Sequence, residues 1–153
     1  MRKIFVFYVL IILLAGCASD SPHTPKTPNP KIQWLIKNDH IDPSLKSAIN
    51  KFWQARQLRQ WEKCYELEAP SVQESTSLDF YRLYHNGGWD IKEIQILKVK
   101  EKPKKASVLL QIFYESPKQE IRRQRLLDTW IFEKGKWYHQ FHDPLVRPKK
   151  KRN

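Results

Sequence analysis

The hydrophobic pattern changes period once, at Gly87-Gly88, and that change limits what this chain can fold into. Before it, apolar residues recur every three or four positions, the spacing of one helix face. Leu45, Ala48, Ile49, Phe52 and Trp53 keep that spacing, continued by Arg56, with Asp42 placed as an N-cap and Pro43 in the first helical position. A second helical stretch covers 59–69 and sets Trp61, Cys64, Tyr65 and Glu68 along one side, until Pro70 stops it. A third starts at the cap Ser77, carries Leu78, Phe80, Tyr81 and Tyr84, and ends at the glycine pair.

After Gly88 the pattern alternates. Ile91, Ile94, Ile96, Leu97 and Val99 form a strand whose alternation breaks near its middle, which predicts a bulge or strong bend. Beyond the turn Lys102-Pro103-Lys104, the residues Ala106, Val108, Leu110, Ile112 and Tyr114 interleave with Ser107, Leu109, Gln111, Phe113 and Glu115. A third strand covers 123–132 and a fourth 136–142. Glu133-Lys134-Gly135-Lys136 between them fits a hairpin turn in which Gly135 can take positive φ. The expected architecture is α+β: three N-terminal helices packed on a bent antiparallel sheet of about four strands. The other sheet face still carries Leu109 and Phe113, joined by Leu127 and Ile131. Those four residues form a candidate interface for a partner protein or a second copy in a homodimer.

The N-terminus has its own logic. Arg2 and Lys3 precede a short apolar run from Ile4 to Leu14, too short for a membrane-spanning helix, which needs about 20 residues. Leu14-Ala15-Gly16-Cys17 closes the run and resembles the lipobox of a bacterial lipoprotein signal peptide. The resemblance implies removal of 1–16, acylation of Cys17, and anchoring to the membrane through that lipid. Ala18, rather than an Asp, follows the cysteine, which favours the periplasmic face of the outer membrane over the inner membrane where the enterobacterial sorting rule applies. Residues 17–31 carry a proline every two or three positions and read as a semi-rigid linker. Residues 32–144 then form the folded domain and 145–153 a basic disordered tail. With Cys17 lipidated, Cys64 has no partner for an intramolecular disulfide and reads as a small core residue.

Lysine and arginine total 28 against 16 acids, a net charge of +12. Such a domain is attracted to anionic envelope surfaces, phospholipid headgroups and acidic polymers. Lys98, Lys100, Lys102, Lys104, Lys105, Lys118, Arg122, Arg123 and Arg125 carry much of the excess, and also protect sheet edges from aggregation.

Three helices followed by a bent sheet resemble the nuclear-transport-factor-2-like superfamily, with its cone-shaped, cystatin-like fold. Phe52-Trp53-Gln54-Ala55-Arg56 with Trp61-Glu62-Lys63-Cys64-Tyr65-Glu66-Leu67 is similar to its two opening helices. Ser77-Leu78-Asp79-Phe80-Tyr81 is similar to the third. Asp128-Thr129-Trp130-Ile131-Phe132-Glu133-Lys134-Gly135-Lys136-Trp137-Tyr138 is similar to its closing hairpin. The resemblance covers roughly 42–143. It implies a cone interior able to hold a ligand, but no single activity, since the superfamily includes isomerases, dehydratases, transport adaptors, secretion-system components and wall-enzyme accessory domains.

An enzyme on this fold would work inside the cone. Alternation puts Asp128 on one face with Leu126, Trp130 and Phe132, where Tyr65, Tyr81, Tyr84 and His139 could meet it. A carboxylate in an apolar pocket beside a phenol can move a proton. A cavity of about 300 Å³ or more with Asp128 and a tyrosine converging in it would mark a ligand site. A closed apolar interior would leave the outer surface as the working part. No catalytic set is assigned. No metal is expected, because His139 and His142 fall on opposite strand faces and no ligand cluster appears. Four glycines supply no phosphate loop or dinucleotide fingerprint, so no cofactor is expected. Basic residues with Trp89, Phe113, Trp130 and Trp137 could stack on nucleic acid, but export removes the usual nucleic acids and argues against this partner.

The leading expectation is a non-catalytic, membrane-anchored cell-envelope lipoprotein that binds a protein partner or an anionic envelope polymer. The alternatives are a small-molecule carrier or isomerase/dehydratase-like enzyme using the cone, and electrostatic binding of nucleic acid or lipid headgroups.

Overall fold

The computed structural model describes residues 30–36, 40–88, 90–116 and 118–141. The signal 1–16, Cys17, nearly all of the linker, Trp89, His142 and the basic tail lie outside the described residues. No described helix is long and apolar enough to cross a membrane.

Helix α1 (Pro43–Gln57) begins as its sequence dictates. The Asp42 carboxylate accepts the Ser44 N–H at 2.7 Å, and Pro43 fills the first turn, where no backbone donor is needed. The carboxylate also accepts the Trp137 indole N–H at 3.1 Å, which ties the start of α1 to the last strand. These hydrogen bonds, from Ser44 first and then Trp137, hold the Asp42 carboxyl below its ordinary range.

Four helices precede the main sheet rather than three. Helix α2 (Trp61–Glu66) is shorter than its periodicity suggests, and α3 (Pro70–Ser75) follows it. Pro70 therefore opens a helix instead of stopping one, because the ring fits the first helical position, whose N–H would be unpaired anyway. Helix α4 (Leu78–Asn86) is capped by Ser77, which accepts the Phe80 N–H, and closes at Gly87 with φ −75°.

The sheet has five strands rather than four, in the order β1-β2-β3-β4-β5. Strands β2 (Asp90–Lys102), β3 (Lys105–Glu115), β4 (Ile121–Glu133) and β5 (Lys136–His139) run antiparallel. The addition is β1 (Ile32–Trp34), parallel to β2 with Ile32 opposite Ile94. Three residues are too few for alternation to be read. The strand exists because β2 offers it a free edge and Trp34 donates its indole N–H to Asn50 of α1 at 2.9 Å. The expected irregularity in β2 is present as register shifts between Ile91 and Glu93 and between Ile96 and Lys98. The β4–β5 turn places Lys134 at φ 49° and Gly135 at φ 78°, the two positive values of a tight hairpin.

The helices cover one sheet face. Leu45, Ile49, Phe52, Trp53 and Cys64 pack on Ile94, Ile96, Val108, Leu110, Trp130 and Trp137, all buried. Cys64 is a core residue, and burial pushes its thiol up to about 12.

Candidate functional site

The covered side of the sheet contains one buried polar cluster, built around His139. Strand β5 ends there, and the segment between α2 and α3 clamps it. The His139 N–H donates to Leu67 O at 2.8 Å, and the Ala69 N–H donates to His139 O at 2.7 Å. This two-bond clamp carries Glu68, fully buried, against the imidazole. Tyr65 and Gln73 hold the clamp in shape. The Tyr65 hydroxyl lies 2.7 Å from Thr76 O, while Gln73 Nε2 donates to Tyr65 O and Glu68 O.

Both imidazole nitrogens are occupied. His139 Nδ1 lies 2.9 Å from each Glu68 carboxylate oxygen, and Nε2 lies 2.8 Å from Asp128 Oδ1. Burial alone would drive the ring to its neutral form. The charges and hydrogen bonds of Asp128 and Glu68 outweigh that cost and raise its pKa to about 10. His139 is therefore an imidazolium held between two carboxylates. Phe52 stacks on it with ring centroids 4.0 Å apart, and Trp130 meets it edge-on.

Every carboxylate oxygen of the two acids has a hydrogen-bond partner. Tyr81 donates its hydroxyl to Glu68 Oε1 at 2.8 Å, the Phe141 N–H donates to Glu68 Oε2 at 3.1 Å, and Trp53 Nε1 donates to Asp128 Oδ2 at 3.0 Å. Burial first, then the Glu68 charge, pushes the Tyr81 phenol far above its ordinary range. Two carboxylates and one imidazolium leave one net negative charge. Arg56 offsets it from the next turn of α1, its guanidinium 4.7 Å over the Trp61 ring. Burial lowers the Arg56 pKa.

Of the residues expected in the interior, Asp128, Tyr81 and His139 join one network. Tyr65 supports it from the α2–α3 clamp, facing backbone carbonyls rather than Asp128. Tyr84 is 37% exposed and packs on Phe80, His85 and Phe141, because the outer turn of α4 carries it away from the sheet. Helical spacing set Arg56 and Glu68 on the inner faces of their helices without joining them to this network, and His85 was not expected there. Glu68 sits in Leu67-Glu68-Ala69-Pro70, an acid bracketed by apolar residues, which was the available signal. His85 lies in a ring cage of Trp61, Tyr81, Tyr84 and Phe141. Burial, helped by the charges of Arg56 and His139, lowers its pKa to about 3.

A cleft of about 210 Å³ opens beside the network, lined by Arg56, Asp128, Thr129, His139, Gln140 and Phe141 among others. It is smaller than a typical site for a drug-sized ligand. Asp128 meets a histidine and a tryptophan in it, not a tyrosine.

The opposite sheet face is uncovered by any described helix. Pairing sets Leu109 opposite Leu127, Phe113 opposite Arg123, Gln111 opposite Arg125 and Lys105 opposite Ile131. Lys98 pairs with Leu109 and Lys100 with Ser107 on the other side of β3. Paired residues share a face, so the four apolar residues and five cations lie on one surface. Leu127 is 69% exposed, and Leu109, Phe113 and Ile131 are half-buried.

No family model matches the chain. No curated protein sequence is significantly similar to it. Solved structures are similar in shape. A SEC-C motif containing protein of Rhodopseudomonas palustris matches with a TM-score of 0.55 at 16% identity, over 64% of this chain and 76% of that one. A calcium/calmodulin-dependent protein kinase type II association domain from Thiobacillus denitrificans gives 0.53 at 10% identity, over 65% and 91%. The Delta 5-3-ketosteroid isomerase of a Mycobacterium species gives 0.50 at 10% identity, over 69% and 95%. At these identities the likeness concerns the fold alone, and it supports the nuclear-transport-factor-2-like fold that the sequence resembles.

Proposed function

We propose that this chain is a membrane-anchored cell-envelope lipoprotein whose folded domain is a non-catalytic binding module. Lipid on Cys17 holds it, and the outer sheet face binds a protein partner or an anionic envelope polymer. The observation that carries the reading is the register of β2, β3 and β4, which gathers Leu109, Phe113, Leu127 and Ile131 among Lys98, Lys100, Lys105, Arg123 and Arg125 on one uncovered face. Apolar area supplies affinity and the cations select an acidic counterpart. The interior supports a structural role. His139 spends both nitrogens on carboxylates, so it offers a substrate neither a free base nor a free proton.

In-cell crosslinking from this face tests the proposal. Leu109→Glu with Phe113→Glu should abolish the crosslinked species while the circular dichroism spectrum is unchanged. Undiminished crosslinking with the fold intact removes this face from the reading.

A second reading, a carrier of a small molecule in the cone, draws on the cleft beside Arg56 and Asp128. It calls for a ligand smaller than most, given the cleft volume.

A further inference from the structure

A well-formed concavity lies outside the cone, where α1, α2 and β5 meet. It measures about 480 Å³, within the range of small-molecule sites. Ala55, Leu58, Leu67 and Trp137 give it an apolar floor. Lys51, Lys63 and Lys136 stand around that floor, one from each element, and Gln54 and Gln60 add carboxamides. Among the described residues none of these three lysines is in an ion pair, whereas Lys31, Arg59, Arg82, Lys92 and Arg122 all have acidic partners. Glu66 is the single acid in the lining.

The backbone adds to this. Strand β5 is a sheet edge, and the His139 N–H points away from β4 toward Leu67. Strand alternation turns the Trp137 N–H toward the same edge, two residues earlier and beside the groove. The groove thus combines an apolar base with cationic and neutral donors converging from three elements. A neutral apolar ligand would leave the ammonium groups unused, and a bare inorganic anion would leave the floor exposed.

We propose that the α1–α2–β5 groove binds a drug-sized organic anion, with an apolar or planar body on Ala55, Leu58 and Trp137 and its acidic group among Lys51, Lys63 and Lys136. This site is distinct from the outer sheet face and from the cone, and does not rest on the reading of either.

The test uses the full chain in nanodiscs of neutral phosphatidylcholine, labelled with ¹⁵N-tryptophan, and 1-naphthyl phosphate as the probe. The Trp137 indole signal should shift saturably while those of Trp53 and Trp130 in the cone stay fixed. K51Q/K63Q/K136Q should weaken binding about tenfold or more, as expected for three exposed charge contacts together. Leu58→Glu, which sets a like charge at the floor, should weaken it independently. Neutral 1-naphthol should bind far more weakly than the phosphate. Equal binding by the triple variant, equal binding of 1-naphthol, or shifts centred on Trp53 and Trp130 would each overturn the proposal. So would a probe that fails to bind while the triple variant loses attachment to phosphatidylglycerol vesicles, since the lysines would then serve a membrane surface.

Discussion

Replacing His139 with leucine should reveal how much of the fold depends on one buried cation. The substitution keeps a side chain under Phe52 but withdraws the positive charge from between Glu68 and Asp128. Glu68 would retain the Tyr81 hydroxyl and the Phe141 N–H, and Asp128 the Trp53 indole. Two buried carboxylates would then face a space without a counter-ion. Breaking a buried pair in this way costs about 3–5 kcal/mol, a large share of a total stability of roughly 5–15 kcal/mol.

The pH dependence makes the test specific. The native pKa of His139 is raised to about 10, while the unfolded chain releases that proton near the ordinary value of 6.5. The stabilisation from protonated His139 is therefore complete below 6.5 and lost as pH rises toward 10. Within that window each pH unit removes about 1.4 kcal/mol from the parent chain and none from the variant. Urea unfolding followed by circular dichroism at pH 7, 8 and 9 should show the gap between the two proteins narrowing by roughly 2–3 kcal/mol. A gap that stays constant from pH 7 to 9 would mean a neutral native imidazole, and the account of the cluster would fail.

His85 should act in the opposite direction. Its pKa is lowered to about 3, so its stabilising contribution is present above 6.5 and lost as pH falls toward 3. His85→Phe, which suits the surrounding rings, should flatten the acid limb of the stability profile between pH 6 and 4, and an unchanged limb would refute this. Asp42→Ala removes a helix cap and the acceptor of the Trp137 indole, and should lower stability by about 1–2 kcal/mol in urea titrations. A loss below a few tenths would show that neither bond matters to the folded state.

The interior network also explains why a polar cone need not be an active site. A catalytic histidine needs one nitrogen free for substrate, and a catalytic acid needs a pKa near the working pH. His139 has neither property, because each ring nitrogen faces a carboxylate and the charged form dominates far above neutrality. The same contacts make it a strong structural pin. They join β5, β4, the α2–α3 clamp and, through Tyr81, helix α4.

Much of this could be read from local pattern. The helix-to-strand switch at Gly87-Gly88, the caps Asp42 and Ser77, the tight turn at Lys134-Gly135 and the break in β2 all depend on residues close together in the chain. So does the side of each strand that faces out, since alternation alone put Leu109 and Phe113 opposite Val108 and Leu110. The elements that escaped notice share a different cause. Strand β1 is three residues long and is stabilised by a partner about sixty positions away. Helix α3 is only six residues long, and its proline reads equally as a stop or a start.

Local periodicity and capping are set by neighbours within a few residues, so the sequence alone determined the α+β class, the order of its main elements and the two-faced sheet. The meeting of Glu68, Asp128 and His139 depends on chain segments up to 71 residues apart, and only the tertiary structure decided it. The reason is that a buried charge is tolerable only where folding brings its partners within hydrogen-bond distance, and no local pattern records which distant residues those will be.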